Sequence, residues 1–243
     1  MQLGGGGARF SGIYQNACNS AGAGQDFPEF MKKIDTLLFD FDGVVADTER
    51  QYTDFWSGAA KKYGAQGGAD FSLKIKGTPL EKILDIYFPR LDGKGRAEVR
   101  ESLSEFEKKL VFRPVKGAVE FLESARNLGY KTGLVTSSGA AKMRRVFAES
   151  DYGRLFDVLV TAEDILRGKP DPMCYLAAAS KLGSDPSHCA VFEDSITGLK
   201  AAKAANMFTV GLLTTFPRED VERLSDAVID DFSNASEVFS LLK

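Results

Sequence analysis

The chain has 243 residues, enough for one large domain or for a core carrying a modest insertion. Its 44% hydrophobic and 27% charged residues fit a soluble globular protein, and a net charge of −3 gives no electrostatic basis for holding nucleic acid or an anionic membrane surface. Three scattered cysteines (Cys18, Cys174, Cys189) without a CxxC pair exclude a disulfide framework, and His188 as the only histidine excludes a His-based metal site or a His-centred triad.

Residues 1–33 are rich in Gly, Ala, Ser, Asn and Gln and lack the basic and apolar regions of a secretory signal. They read as a flexible extension, with Met31-Lys32-Lys33 a natural beginning for the folded part. Thr36-Leu37-Leu38-Phe39 is a short strand buried on both faces, and it runs into Asp40-Phe41-Asp42-Gly43. Helical spacing follows over Glu49–Tyr63, Pro79–Phe88 and Arg96–Leu110, with breaks at Gly64, Gly67-Gly68, Pro89 and Gly93/Gly95. From Gly117 onward helices and strands alternate. The helices are Ala118–Leu128, Ala140–Glu149, Met173–Leu182, Ile196–Ala205, Glu219–Leu224 and Ser236–Leu242. The strands are Lys131–Val135, Val158–Thr161, Cys189–Phe192, Phe208–Leu212 and Val228–Ile229. Asp171 is the expected N-cap of the Met173 helix, with Pro172 at its first position, and Asn206 is the left-handed cap after Ala205. The fold class is α/β, a doubly wound, Rossmann-like parallel sheet with an inserted small all-helical cap. The expected division is a core of residues 34–48 and 115–243 and a cap of residues 49–114. No apolar run is long enough to span a bilayer, and the cysteine usage fits a reducing, cytoplasmic setting.

Several strand ends carry polar residues that a buried sheet does not need. Asp40 ends a buried strand, where an unpaired charge costs several kcal/mol, so it belongs at the open carboxyl end of the sheet, where α/β proteins bind ligands. Asp42, two residues on, projects to the same side if the chain stays extended. Alone, the pair reads better as a strand followed by a polar turn. Thr136-Ser137-Ser138-Gly139 is an anion cradle at a helix mouth, or a set of ordinary caps. Lys169 lies in a proline-flanked loop and alone reads as a surface lysine. Glu193-Asp194 ends another buried strand, and a divalent cation opposite Asp40 would explain it.

The order of these motifs, Asp40-x-Asp42, then Thr136, then Lys169-Pro170, then Glu193-Asp194, resembles the haloacid dehalogenase superfamily of phosphotransferases over residues 34–243. The helical block between the first and second motifs resembles the subgroup with a small helical cap, which includes β-phosphoglucomutases and sugar-phosphate phosphatases. The resemblance implies that Asp40 is the nucleophile and Asp42 the general acid and base. It further implies that Thr136 and Ser137 bind phosphoryl oxygens and that Lys169 bridges nucleophile and phosphoryl group. Mg²⁺ would be held by Asp40, the Asp42 carbonyl and Asp194, with Glu193 a further ligand or a supporting partner. Lys76 and Thr48 join the substrate contacts, with Lys76 facing the leaving group or, as readily, solvent. Tyr52 and Trp56 line the cap pocket or pack in its core. The expected substrate is a small phosphorylated metabolite and the expected state a monomer or weak dimer.

Three departures separate the chain from the mutase pattern. Tyr52 stands where mutases carry a hinge histidine, Leu80 replaces the arginine of the cap loop, and Gly139-Ala140 replaces a Lys-Asn phosphate clamp. The expectation is therefore a hydrolase of a sugar phosphate. A phosphomutase, an inorganic pyrophosphatase and a non-catalytic binding protein on the same scaffold are the alternatives.

Overall fold

The computed structural model describes residues 34–68, 71–76 and 78–243; the expected N-terminal extension lies outside them. The first strand is β1 (Thr36–Phe39), and four helices follow it: α1 (Glu49–Tyr63), α2 (Phe71–Lys74), α3 (Leu80–Tyr87) and α4 (Gly93–Glu107). The chain then alternates through α5 (Ala118–Asn127), β2 (Lys131–Val135), α6 (Ala140–Glu149) and β3 (Val158–Val160). It continues with α7 (Met173–Leu182), β4 (Cys189–Glu193), α8 (Ile196–Ala204) and β5 (Phe208–Leu212), and ends with α9 (Arg218–Glu222), β6 (Ala227–Ile229) and α10 (Ala235–Leu241).

The six strands among the described residues are all parallel, in the order β3-β2-β1-β4-β5-β6. Strand order reverses beside β1, the switch point at which doubly wound sheets open a crevice at their carboxyl ends. β1 is fully buried along its length, which is why all four of its residues are apolar or β-branched. Leu37 and Phe39 point into one layer with Phe121, Phe192 and Phe232, and Leu38 points into the other with Val191 and Tyr175. Phe39 stacks on Phe192 with ring centroids 4.7 Å apart. Side chains of this size each contribute about 1.5–3 kcal/mol on burial, so β1 is anchored from both faces.

Helices α1–α4 carry a hydrophobic cluster of their own, centred on Trp56, Phe71, Leu84, Phe88 and Val99. α4 begins earlier than the Arg96 start that glycine content suggests. Asp92 caps it by accepting a hydrogen bond from the Gly95 amide (2.8 Å), so Gly93 and Gly95 lie in its first turn. Pro172, not Asp171, precedes the first residue of α7, and Asp171 instead accepts from the Met173 amide (3.0 Å). Asn206 does adopt the left-handed conformation, with φ 58°. No helix among the described residues is long and apolar enough to cross a membrane.

Candidate active site

The carboxyl ends of β1, β2 and β4 and the helices α1–α4 enclose a cavity of about 310 Å³. Asp40, Asp42, Thr136, Ser137, Lys169 and Asp194 all line it. Asp40 follows β1 directly, and its amide still donates to Phe192 O (3.0 Å), which fixes it at the sheet edge. The chain then turns back tightly at Phe41, whose carbonyl accepts from the Val45 and Ala46 amides (3.0 and 2.9 Å). Gly43 makes this turn at φ 83°. A Cβ on it would lie 2.0 Å from Asp194 Oδ2, so the position admits only glycine for two reasons.

Lys169 is 5% exposed, and its Nζ donates to Asp40 Oδ1 (2.6 Å) and Glu193 Oε1 (2.5 Å). Glu193 is fully buried; its Oε1 also accepts from Tyr175 OH (3.1 Å) and its Oε2 from the Ser195 amide (2.8 Å). A Cβ on Gly198 would fall 1.6 Å from Glu193 Oε1, so this helical glycine clears the space that the glutamate occupies. Asp194, 2% exposed, accepts from the Thr215 hydroxyl.

One carboxylate oxygen from each of Asp40, Glu193 and Asp194 comes within 4.8 Å of the others. Of these three buried acids, Lys169 pairs with Asp40 and Glu193. Burial pushes Asp40 up from 3.8 to about 7, against the opposing pull of Lys169, and Glu193 adds to the rise. Burial also drives Asp194 well above the usual carboxylate range, with the charges of Glu193, Glu49 and Asp40 pushing the same way. The site is thus short of positive charge and offers only hard oxygen donors, the environment a divalent cation requires.

The haloacid dehalogenase-like hydrolase family matches residues 37–212, which contain every one of these side chains except Thr215. The chain belongs to that family. It is similar to a phosphorylated carbohydrates phosphatase of Thermotoga maritima, 33% identical over 72% of this chain and 82% of that protein. It is also similar to a validoxylamine A 7'-phosphate phosphatase of Streptomyces hygroscopicus subsp. limoneus, 31% identical over 78% of this chain and 89% of that one. In fold it matches a solved structure described as a putative β-phosphoglucomutase from Bacteroides vulgatus. That match has a TM-score of 0.75 at 23% identity and covers 87% of this chain and 89% of the other.

In this haloacid dehalogenase-like hydrolase the expected anion cradle is narrower than its sequence suggests. The Ala140 amide at the mouth of α6 is taken by the Glu163 carboxylate (2.9 and 3.1 Å), and the Thr136 hydroxyl accepts from the Ser138 amide (3.0 Å). Thr48, expected among the substrate contacts, is fully buried and spends its hydroxyl on Asp42 Oδ1 (2.5 Å). It holds Asp42 from below and does not line the cavity. Lys76 does line it, paired with Glu49. Tyr52 and Trp56 line it while also packing in the cluster of the helical block.

Three polar residues around the cavity were not expected from sequence: Glu49, Glu107 and Lys142. Lys142 is 7% exposed and donates to both Asp42 carboxylate oxygens (2.7 and 2.6 Å). Its only trace in the sequence is a lysine one turn past Ser138 on a helix that starts at the cavity rim.

Without metal, Asp40 and Asp194 hold protons in the folded protein that the unfolded chain gives up from pH 3.8 upward, Asp40 until about pH 7. The folded state therefore binds more protons across this window, and these two groups withdraw stability as pH rises through it. A divalent cation that holds both as carboxylates removes that loss. The expected result is that a saturating divalent cation raises the denaturation midpoint more at about pH 7 than at about pH 5. An equal gain at both pH values would contradict the assignment of these acids to a metal site.

Proposed function

We propose that the protein is a Mg²⁺-dependent phosphatase that hydrolyses a small phosphate monoester, a sugar phosphate, through an aspartyl phosphate on Asp40. The observation that carries this reading is the opening of Asp40 and Asp42 into one cavity, with Lys169 seated on Asp40 Oδ1. Asp40 attacks phosphorus as the bond to the leaving oxygen breaks, and Asp42 gives that oxygen its proton. Asp42 then takes a proton from water as the water attacks phosphorus, and the Asp40–phosphorus bond breaks to release phosphate. Thr136 and Ser137 orient phosphoryl oxygens, and Lys169 offsets the charge between an anionic nucleophile and an anionic substrate. Asp40, Asp194 and the Asp42 carbonyl would hold Mg²⁺, and Glu193, whose oxygens already accept from Lys169, Tyr175 and Ser195, supports Lys169. When bound, the ion neutralises charge on the phosphoryl group and on the attacking carboxylate.

Residues 49–114 serve in this reading as a cap over a core of residues 34–48 and 115–243. Their side of the cavity supplies an apolar wall (Trp56, Ile75, Leu80, Ile83) beside hydroxyls and carboxylates (Thr53, Ser72, Glu107), a mixture suited to a sugar ring. The cations lining the cavity among the described residues are Lys76 and Lys169, and each is already paired with a carboxylate. A second phosphate has no free cation to hold it, which supports hydrolysis over mutation through a bisphosphate. The names of the two similar phosphatases, one for phosphorylated carbohydrates and one for a validoxylamine 7'-phosphate, agree with that substrate class.

The test is phosphate release with Mg²⁺ from a panel of sugar phosphates, with pyrophosphate and β-glucose 1-phosphate included, repeated after chelation. Release from a sugar phosphate that stops on chelation is the expected outcome. Conversion of β-glucose 1-phosphate to glucose 6-phosphate with little release would make the protein a mutase, and pyrophosphate as the sole substrate would make it a pyrophosphatase. Silence across the panel would leave a binding protein.

A further inference from the structure

The chemistry proposed above uses Asp42 twice, as acid and then as base, and its carboxylate must stay aimed at the leaving oxygen in the first step and at the attacking water in the second. In the structure this carboxylate accepts from Thr48 Oγ1 (2.5 Å), Ser138 Oγ (2.9 Å) and Lys142 Nζ, the last reaching both of its oxygens. Among the described residues Lys142 is its only charged partner. It is the third residue of α6, and its side chain is 4% exposed, a placement that is costly for an ammonium unless every proton finds an acceptor. Its partners meet that condition: Asp42, Ser138 Oγ (2.9 Å) and Tyr52 OH (2.8 Å). The ammonium also lies 4.8 Å from the Tyr52 ring centroid and 5.6 Å from that of Phe41.

Tyr52 comes from α1, and its hydroxyl donates in turn to Glu107 Oε1 (2.9 Å) at the end of α4. Burial and the nearby charges of Asp42 and Glu107 drive this phenol well above its ordinary range, so it stays a donor toward Glu107 and accepts from Lys142. A continuous chain of polar contacts therefore runs from Asp42 through Lys142 and Tyr52 to Glu107. Its first two members belong to the sheet side of the cavity and its last two to the helical block.

We propose that Lys142 is the positioning residue for Asp42, held to that task by Tyr52 from the helical block. This inference rests on the proposed phosphatase reading. Lys142 does not line the cavity; it acts through the Asp42 carboxylate, denying it any other rotamer. Without it, Thr48 and Ser138 hold the carboxylate by neutral hydrogen bonds alone, which constrain it less than a paired charge does.

The test uses the leaving group as its probe. A sugar phosphate needs a proton delivered to its leaving alkoxide, whereas p-nitrophenyl phosphate releases a stable phenolate and needs none. For each ester kcat/KM reports the first irreversible step, transfer of the phosphoryl group to Asp40, so the later role of Asp42 as base does not enter. Lys142→Met should lower kcat/KM for the sugar phosphate about 100-fold, the cost of a misplaced catalytic group, and leave p-nitrophenyl phosphate within a few-fold of wild type. Tyr52→Phe removes only a hydroxyl and keeps the edge-to-face packing on Phe106; it should give a loss of about 3–10-fold, again confined to the sugar phosphate. This second variant decides the matter if Lys142→Met fails to fold. Equal losses on both esters, or no loss on either, would overturn the proposal. A wild-type protein that hydrolyses neither ester would instead overturn the phosphatase reading on which it stands.

Discussion

Asp40→Asn is expected to abolish turnover, lowering phosphate release by about 10⁴-fold or more, while leaving the fold intact. The carboxamide has nearly the shape of the carboxylate but no charge with which to attack phosphorus. Lys169 keeps its contact with Glu193 Oε1, so the buried ammonium is not orphaned. Burial already disfavours the charged form of Asp40, raising it to about 7, so losing that charge removes a desolvation cost as well as an ion pair. The unfolding free energy should therefore stay within about 1 kcal/mol of wild type or rise. Steady-state release and chemical denaturation of the same preparation check both halves. Retention of more than about 1% of the wild-type rate would place the nucleophile elsewhere.

Lys169→Met should fail in a different way, losing activity and stability together. It removes the ammonium that pairs with Asp40 and Glu193, both of them buried. Breaking a buried pair by deleting one partner costs about 3–5 kcal/mol, because the remaining charges have neither solvent nor counter-ion. Turnover should fall by about 10³-fold, since two anions must then meet without the cation between them. Adding Glu193→Gln to Lys169→Met should return much of the stability, because it removes one stranded charge, and none of the activity. Denaturation curves of the two variants in metal-free buffer give the comparison. A Lys169→Met protein as stable as wild type would mean that Lys169 is not the ion that holds these carboxylates together.

The two failures contrast because Asp40 and Lys169, 2.6 Å apart, do different jobs. Only one of those jobs is legible in sequence. An aspartate at the end of four buried residues is costly to bury, which raises a ligand site as one reading beside a polar turn. A lysine between prolines announces nothing until the chain folds and brings it 129 positions back to Asp40. The ordered series of motifs supplied what the single residues did not.

The alternation of elements, the buried central strand, the helical block after it, the acids at the strand ends and the left-handed cap at Asn206 were all legible in the residue pattern. Each of these follows from short-range causes: the two-residue repeat of a strand, the 3.6-residue repeat of a helix, and the backbone conformations that glycine, proline and asparagine allow. Helix starts were less legible, because the Asp92 cap lets two glycines sit in a first turn where propensity alone places a break. Only the tertiary structure decided that Lys142 faces inward to Asp42, that Thr48 lies beneath the site rather than in it, and that Glu163 fills the mouth of α6. Polar side chains on helices and loops carry no periodic signal of burial. Their partners lie tens of residues away, so their roles are fixed by which surfaces the sheet brings together.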